Sequence, residues 1–115
     1  MRVLLANTRQ KVRSALRLLL AQKPEFQVVG EAADATGVLL AVERKQPDLL
    51  LLDWGLPGLP SDYLLRLLRR ERPSLKIIAL SSRPEVQQLA LAAGADSFIN
   101  KNEPPERALA ALQTV

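Results

Sequence analysis

The 115-residue chain contains no cysteine and no histidine. Those two absences exclude disulfides, thiol nucleophiles, thiolate or imidazole metal sites and every histidine-dependent triad. Aromatic residues make up 3% of the chain, too few for the stacking platforms that grip single-stranded nucleic acid. No apolar run approaches the roughly 18 residues needed to cross a bilayer. The opening Met1-Arg2-Val3-Leu4-Leu5-Ala6 is too short for a secretory apolar region and has no cleavage pattern. The expectation is therefore a cytoplasmic protein without a membrane partner. Low-complexity tracts and glycine-serine linkers are missing as well.

What is present is an aliphatic composition, 48% hydrophobic and 24% charged, with leucine dominant. That suits one compact domain over residues 1–115, burying roughly two-thirds of the surface its unfolded chain exposes. Sixteen Lys and Arg against 12 Asp and Glu leave a net charge of +4. This permits an acidic partner without requiring one.

Short apolar runs alternate with longer amphipathic segments. Val3-Leu4-Leu5-Ala6 reads as a strand. Val12, Ala15, Leu16, Leu19 and Leu20 then recur at helical spacing, with Thr8 as the expected N-cap and Pro24 closing the segment. Phe26 to Gly30 reads as a second strand, and a helix follows from near Asp34 to before Pro47. Leu49-Leu50-Leu51-Leu52, bounded by Pro47-Asp48 and Asp53-Trp54-Gly55, is short enough for a strand buried on both faces. A helix over Tyr63, Leu64, Leu67 and Leu68 stops near Pro73, and Leu75 to Leu80 is the fourth strand. Pro84 starts and Gly94 ends the next helix. Ala95 to Asn100 is the fifth strand, and Pro104 or Pro105 opens the last helix.

Strict alternation of this kind implies βαβ units with right-handed crossovers. The predicted fold class is α/β: a five-stranded parallel doubly wound sheet in the order 2-1-3-4-5, a three-layer α/β/α sandwich. Ligands of such folds sit outside the carboxyl ends of the strands, where the strand order reverses. The residues there are Ala6-Asn7, Asp53, Ser81-Ser82 and Asn100-Lys101. Each also has a plainer reading. Asp53 can orient a turn, Ser81 can cap the helix near Pro84, and Lys101 can be a solvated lysine.

Taken together, the motifs resemble the receiver domain of two-component response regulators, a flavodoxin-like fold. Leu49 to Gly58 resembles the phosphoacceptor strand and its Asp-x-x-(Met/Leu)-Pro-Gly loop. Ile77-Ile78-Ala79-Leu80-Ser81 resembles the strand ending in Ser or Thr, and Gly94 to Lys101 the Gly-Ala-x-x-(Tyr/Phe)-x-x-Lys stretch. Asn102-Glu103-Pro104-Pro105 resembles the variant found in regulators with a helix-turn-helix output domain. The resemblance implies Asp53 as phosphoacceptor, Ser81 and Lys101 as phosphoryl-binding groups and Phe98 as the switch aromatic. It implies Mg²⁺ as cofactor, held by Asp53 and the carbonyl of Gly55. It further implies a non-enzymatic signalling role, a histidine kinase or other signalling protein and an output domain as partners, and no nucleic-acid contact by this domain. A homodimer is compatible with it, as is excision from a longer regulator with a C-terminal DNA-binding domain.

One departure stands out. Where the family has two adjacent carboxylates after strand one, this chain has Ala6-Asn7, and no acid follows among Thr8, Arg9, Gln10 and Lys11. A family pocket of three carboxylates and one lysine carries a formal charge of about −2, which suits a divalent cation. Here Asp53 and Lys101 cancel, and Asn7 offers only a neutral oxygen. One unit charge about 4 Å from the metal is worth about 4 kcal/mol per elementary charge at an effective dielectric near 20, before desolvation. Weak or absent Mg²⁺ binding and an Asp53–Lys101 ion pair are therefore expected. The alternative is a working phosphoacceptor using Asn7 and water as surrogate ligands. Ser61, Ser82 and Trp54 are smaller departures, and Trp54 either covers the site or packs on the sheet edge.

Arg9, Arg13 and Arg17 on the first helix, and Arg66, Arg69, Arg70 and Arg72 on the third, read as solvated faces. Val86, Leu89, Ala90, Phe98, Leu109 and Leu112 mark the face of helix four, strand five and helix five, mostly core with an exposed subset as a dimer patch.

Overall fold

Each short apolar run forms a strand, and each amphipathic segment folds back over it. In a computed structural model, which describes residues 1–113 apart from the side chains of Pro105 and Leu109, the strands are β1 (Arg2–Ala6), β2 (Gln27–Ala32), β3 (Leu49–Asp53), β4 (Lys76–Ser81) and β5 (Ser97–Asn100). The helices are α1 (Gln10–Ala21), α2 (Ala35–Lys45), α3 (Ser61–Glu71), α4 (Val86–Ala93) and α5 (Pro105–Gln113). All strand pairs are parallel, in the order β2-β1-β3-β4-β5. Among the described residues, no helix is long and apolar enough to cross a membrane.

Successive side chains of a strand point to opposite faces, and the four leucines of β3 divide accordingly. Leu50 and Leu52 join a core cluster with Leu64, Leu68 and Ala90 of α3 and α4. Leu49 and Leu51 join a second cluster with Leu20 of α1 and Leu112 of α5. The sheet is therefore covered on both sides, α2, α3 and α4 on one and α1 and α5 on the other. Leu65, passed over in the sequence pattern, is fully buried, whereas Tyr63 is half exposed.

Several helix ends follow the sequence. Asp34 caps α2, its carboxylate accepting the Gly37 N–H at 2.7 Å. Gly94 ends α4 with φ of 117°, a conformation that glycine adopts without penalty. The start of α1 differs. Its N-cap is Arg9, with no side-chain cap, and not Thr8. The Asn7 amide oxygen instead accepts the Arg9 N–H at 2.9 Å, a local turn that competes with capping and delays the helix. Pro84 sits in a lead-in turn: the Val86 and Gln87 N–H groups bond the carbonyls of Arg83 and Pro84, and the α-helix begins after them.

The arginines do not all lie in solvent. Arg13 and Arg17 of α1 both pair with Glu31 of β2. Arg69 turns inward and donates to the carbonyls of Pro73, Leu75 and Gly94 and to the Asp96 carboxylate. Asp96 also accepts the Ile77 N–H at 2.8 Å. One guanidinium thus ties α3 to the entrances of β4 and β5. Of the residues expected on the α4–β5–α5 face, Val86, Ala90 and Leu112 are core, Leu89 is exposed and the side chain of Leu109 lies outside the described residues.

Candidate functional site

The site forms at the carboxyl ends of β1, β3, β4 and β5, beside the point where strand order reverses. Ala6 pairs with Leu52 and Asp53 with Leu80, while Ser81 pairs with Asn100. Asn7 therefore follows β1 beside Asp53, one inter-strand spacing of about 4.8 Å away. Ala6 itself is the last residue of β1 and belongs to the core. The two positions after the strand are thus Asn7 and Thr8, one residue further on than the sequence suggested, and neither is acidic.

Asp53 and Lys101 meet. The Lys101 ammonium donates to Asp53 Oδ1, and the two side chains are 32% and 17% exposed respectively. The backbone holds this lysine in place, because its N–H bonds the Ser81 carbonyl at 3.0 Å and so extends the β4–β5 ladder. Asp53 thus contributes a side chain to an ion pair as well as a carbonyl to the Leu56 N–H of the following turn.

Ser81 is buried, and its hydroxyl oxygen accepts the Arg83 N–H at 3.1 Å. Arg83 precedes α4, so Ser81 shapes the β4–α4 loop and does not cap the helix. Phe98 pairs with Ala79, two residues before Ser81, and packs partly buried on the α2–α3–α4 core. Trp54 packs on the same cluster, and its N–H bonds the Leu80 carbonyl at 2.8 Å.

Two contacts at this rim had no clear sequence signal. The Gly55 N–H donates to the buried Ser61 hydroxyl oxygen at 3.1 Å. A glycine at 61 would lack that oxygen, so the departure at this position supports the loop after Asp53. Gly55 itself has a φ of 131°. The Asn102 side-chain amide donates to the Ser82 carbonyl at 2.9 Å, fastening the loop after β5 to the loop after β4.

Behind β1, the Arg13 guanidinium donates to the Asn7 carbonyl and to Glu31 at 2.7 Å. Hydrogen bonds from Arg17 and then Arg13 hold the Glu31 carboxyl below its usual range, against a smaller opposing effect of burial. Among the described residues there is no group of three or more Asp, Glu, His or Cys side chains placed to hold a metal ion.

Residues 3–113 match the family described as the response regulator receiver domain. The chain is 32% identical over 108 residues to the uncharacterized transcriptional regulatory protein YhcZ of Bacillus subtilis, covering 92% of this chain and 50% of that protein. It is 33% identical over 112 residues to the nitrate/nitrite response regulator NarL of Escherichia coli, covering 96% and 52%. A two-component response regulator of the LuxR family from Aurantimonas superposes with a TM-score of 0.91 at 26% identity, covering 98% of this chain and 82% of that one. The chain spans about half the length of the curated relatives it matches. With a flavodoxin-like sheet of the same order and Asp53, Ser81 and Lys101 gathered at its carboxyl edge, the chain belongs to the family of response regulator receiver domains.

Proposed function

We propose that this receiver domain acts as a non-enzymatic protein-interaction module with an impaired Mg²⁺ and phosphorylation pocket, inside a cytoplasmic transcriptional response regulator. Asp53 is the candidate phosphoacceptor. Ser81 and Lys101 are the candidate phosphoryl-binding groups, and Phe98 is the candidate switch aromatic. The partners are a histidine kinase or another signalling protein and an output domain, with no nucleic-acid contact from this domain.

One observation carries the reading: the residues beside Asp53 after β1 are Asn7 and Thr8, and the carboxylate of Asp53 is bonded to Lys101. The donor set fits Mg²⁺ poorly. Hard divalent cations want several oxygen ligands with negative charge among them. The Asn7 oxygen is neutral and already accepts the Arg9 N–H, and Thr8 adds no charge. The charges of Asp53 and Lys101 cancel, so no surplus negative potential remains to offset metal dehydration.

The test is incubation with acetyl phosphate, or with beryllofluoride, at millimolar Mg²⁺. Intact mass reads the first and Trp54 fluorescence the second. The expected result is no stoichiometric adduct and no fluorescence change. An adduct abolished by Asp53→Asn would replace this reading with a working phosphoacceptor that uses Asn7 and water as ligands. The placement of Asp53, Ser81 and Lys101 at one rim is what favours that second reading.

A further inference from the structure

At the amino ends of the strands, the opposite end of the sheet from Asp53, an open cleft of about 510 Å³ lies between the α2–β3 and α3–β4 connections. Gln46 and Asp48 come to it from the first connection, and Arg72, Ser74 and Leu75 from the second, with Lys76 opening β4. The backbone around it is held on both sides. The Asp48 N–H bonds the Arg2 carbonyl at 2.8 Å, and the Lys76 N–H bonds the Asp48 carbonyl at 3.0 Å. Arg69 donates to the carbonyls of Pro73 and Leu75 and so braces the second connection. A rim already held in place spares a ligand the cost of ordering it.

The side chains on that rim lack partners. Among the described residues, those of Gln46, Arg72, Ser74 and Lys76 make no hydrogen bond or ion pair. Two cations, a hydroxyl and an amide thus surround one recess. The last turns of the flanking helices add Arg44 and Lys45 from α2 and Arg70 from α3, against Glu43 and Glu71. Asp48 is the one acid that lines the cleft. Its Oδ2 accepts the Arg2 N–H at 2.7 Å, which leaves Oδ1 open to a donor.

We infer that this cleft docks an acidic segment of a partner protein, with a carboxylate of that segment on Arg72 and Lys76. Unpaired cations select an anion, and a guanidinium matches a carboxylate in a two-pronged bond. Asp48 selects a peptide as the source of that anion. Phosphates on a nucleic acid or a lipid surface bring negative charge without an amide donor beside it, and Asp48 repels them. A peptide sets each carboxylate next to backbone N–H groups. One N–H meets Asp48 Oδ1 while the neighbouring carboxylate meets the two cations. The site needs nothing from the pocket around Asp53.

The test is fluorescence anisotropy of a fluorescein-labelled decapeptide of alternating glutamate and alanine, titrated with the 115-residue chain at low salt. Saturable one-to-one binding is expected. Arg72→Glu with Lys76→Glu weakens it by about tenfold or more. Arg72→Gln with Lys76→Gln, milder and checked for folding by circular dichroism, weakens it in the same direction. Arg9→Glu with Lys11→Glu makes the same change in net charge as the first pair, at exposed positions beside the start of α1, and leaves binding nearly unchanged because the intervening distance is screened. Binding that is absent, that does not saturate, that survives in the folded glutamine pair or that falls equally in both glutamate pairs overturns the inference. So does tighter binding of a short DNA duplex or of phosphatidylglycerol vesicles than of the peptide, since either makes the cleft a phosphate site.

Discussion

Asn7→Asp returns one carboxylate to the pocket, and its effect follows from the register. Asn7 lies one inter-strand spacing from Asp53, about 4.8 Å. It is 3% exposed, so its new charge is poorly solvated. The change is close to isosteric, and a carboxylate oxygen still accepts the Arg9 N–H. Without metal, two carboxylates separated by about that backbone spacing would repel by about 3 kcal/mol at an effective dielectric of 20, part of which Lys101 offsets. With Mg²⁺ about 4 Å away, the added charge attracts the divalent ion by about 8 kcal/mol before desolvation and solvent screening. If a quarter of that survives, about 2 kcal/mol, affinity rises about 30-fold. The assay is urea unfolding with and without millimolar Mg²⁺, followed by Trp54 fluorescence. The variant should be less stable than the parent in chelator and regain stability as Mg²⁺ is added, because the metal binds only the folded state. The parent midpoint should not move. A parent whose stability rises with Mg²⁺ as steeply as the variant's would refute the charge argument.

The other predictions concern the scaffold. Arg69→Ala removes four hydrogen bonds that join α3 to β4 and β5; a loss of about 2 kcal/mol is expected in urea unfolding, and no loss would mean that water replaces the guanidinium. Leu50→Ala opens a cavity under α3 at a fully buried position and should cost about 2–5 kcal/mol by the same measurement. Glu31 has a folded pKa held down by Arg17 and Arg13, so its contribution to stability is present above the unfolded carboxylate pKa of about 4.3 and is lost as pH falls through the lower folded value. The urea midpoints of the parent and Glu31→Gln should therefore differ at neutral pH and converge under acid. A gap that persists at low pH would assign the effect to packing.

The sheet order was legible because the signals are binary. Four leucines bounded by proline and aspartate have no exposed position to spare, and a parallel central strand needs none. Asp34 and Gly94 were legible for a similar reason, since each satisfies one local backbone requirement. Thr8 failed as a cap because the competing bond comes from its neighbour Asn7, and nearest-neighbour competition leaves no periodic trace. Arg69 looked like Arg66 and Arg70. Which of three arginines turns inward depends on the carbonyls of Leu75 and Gly94, which reach it only through the fold. At the site, residue types at strand ends announced Asp53, Ser81 and Lys101. The Ser61 hydroxyl under Gly55 was hidden, because a loop hydrogen bond between residues six apart has no compositional signature. Leu18, exposed on α1, was passed over because the helical repeat of its neighbours describes what α1 buries, and says nothing of what it leaves outside.

Lys101 belongs to two surfaces at once. Its ammonium closes on Asp53 at the carboxyl edge, and the same residue helps line an open cleft of about 700 Å³ between α1 and α5. Anything that draws that ammonium off its carboxylate also reshapes the mouth of the cleft, and a body seated in the cleft restricts where the ammonium can go. A change at either place is felt at the other through one flexible stem, with no need for a strand to slide or a helix to turn.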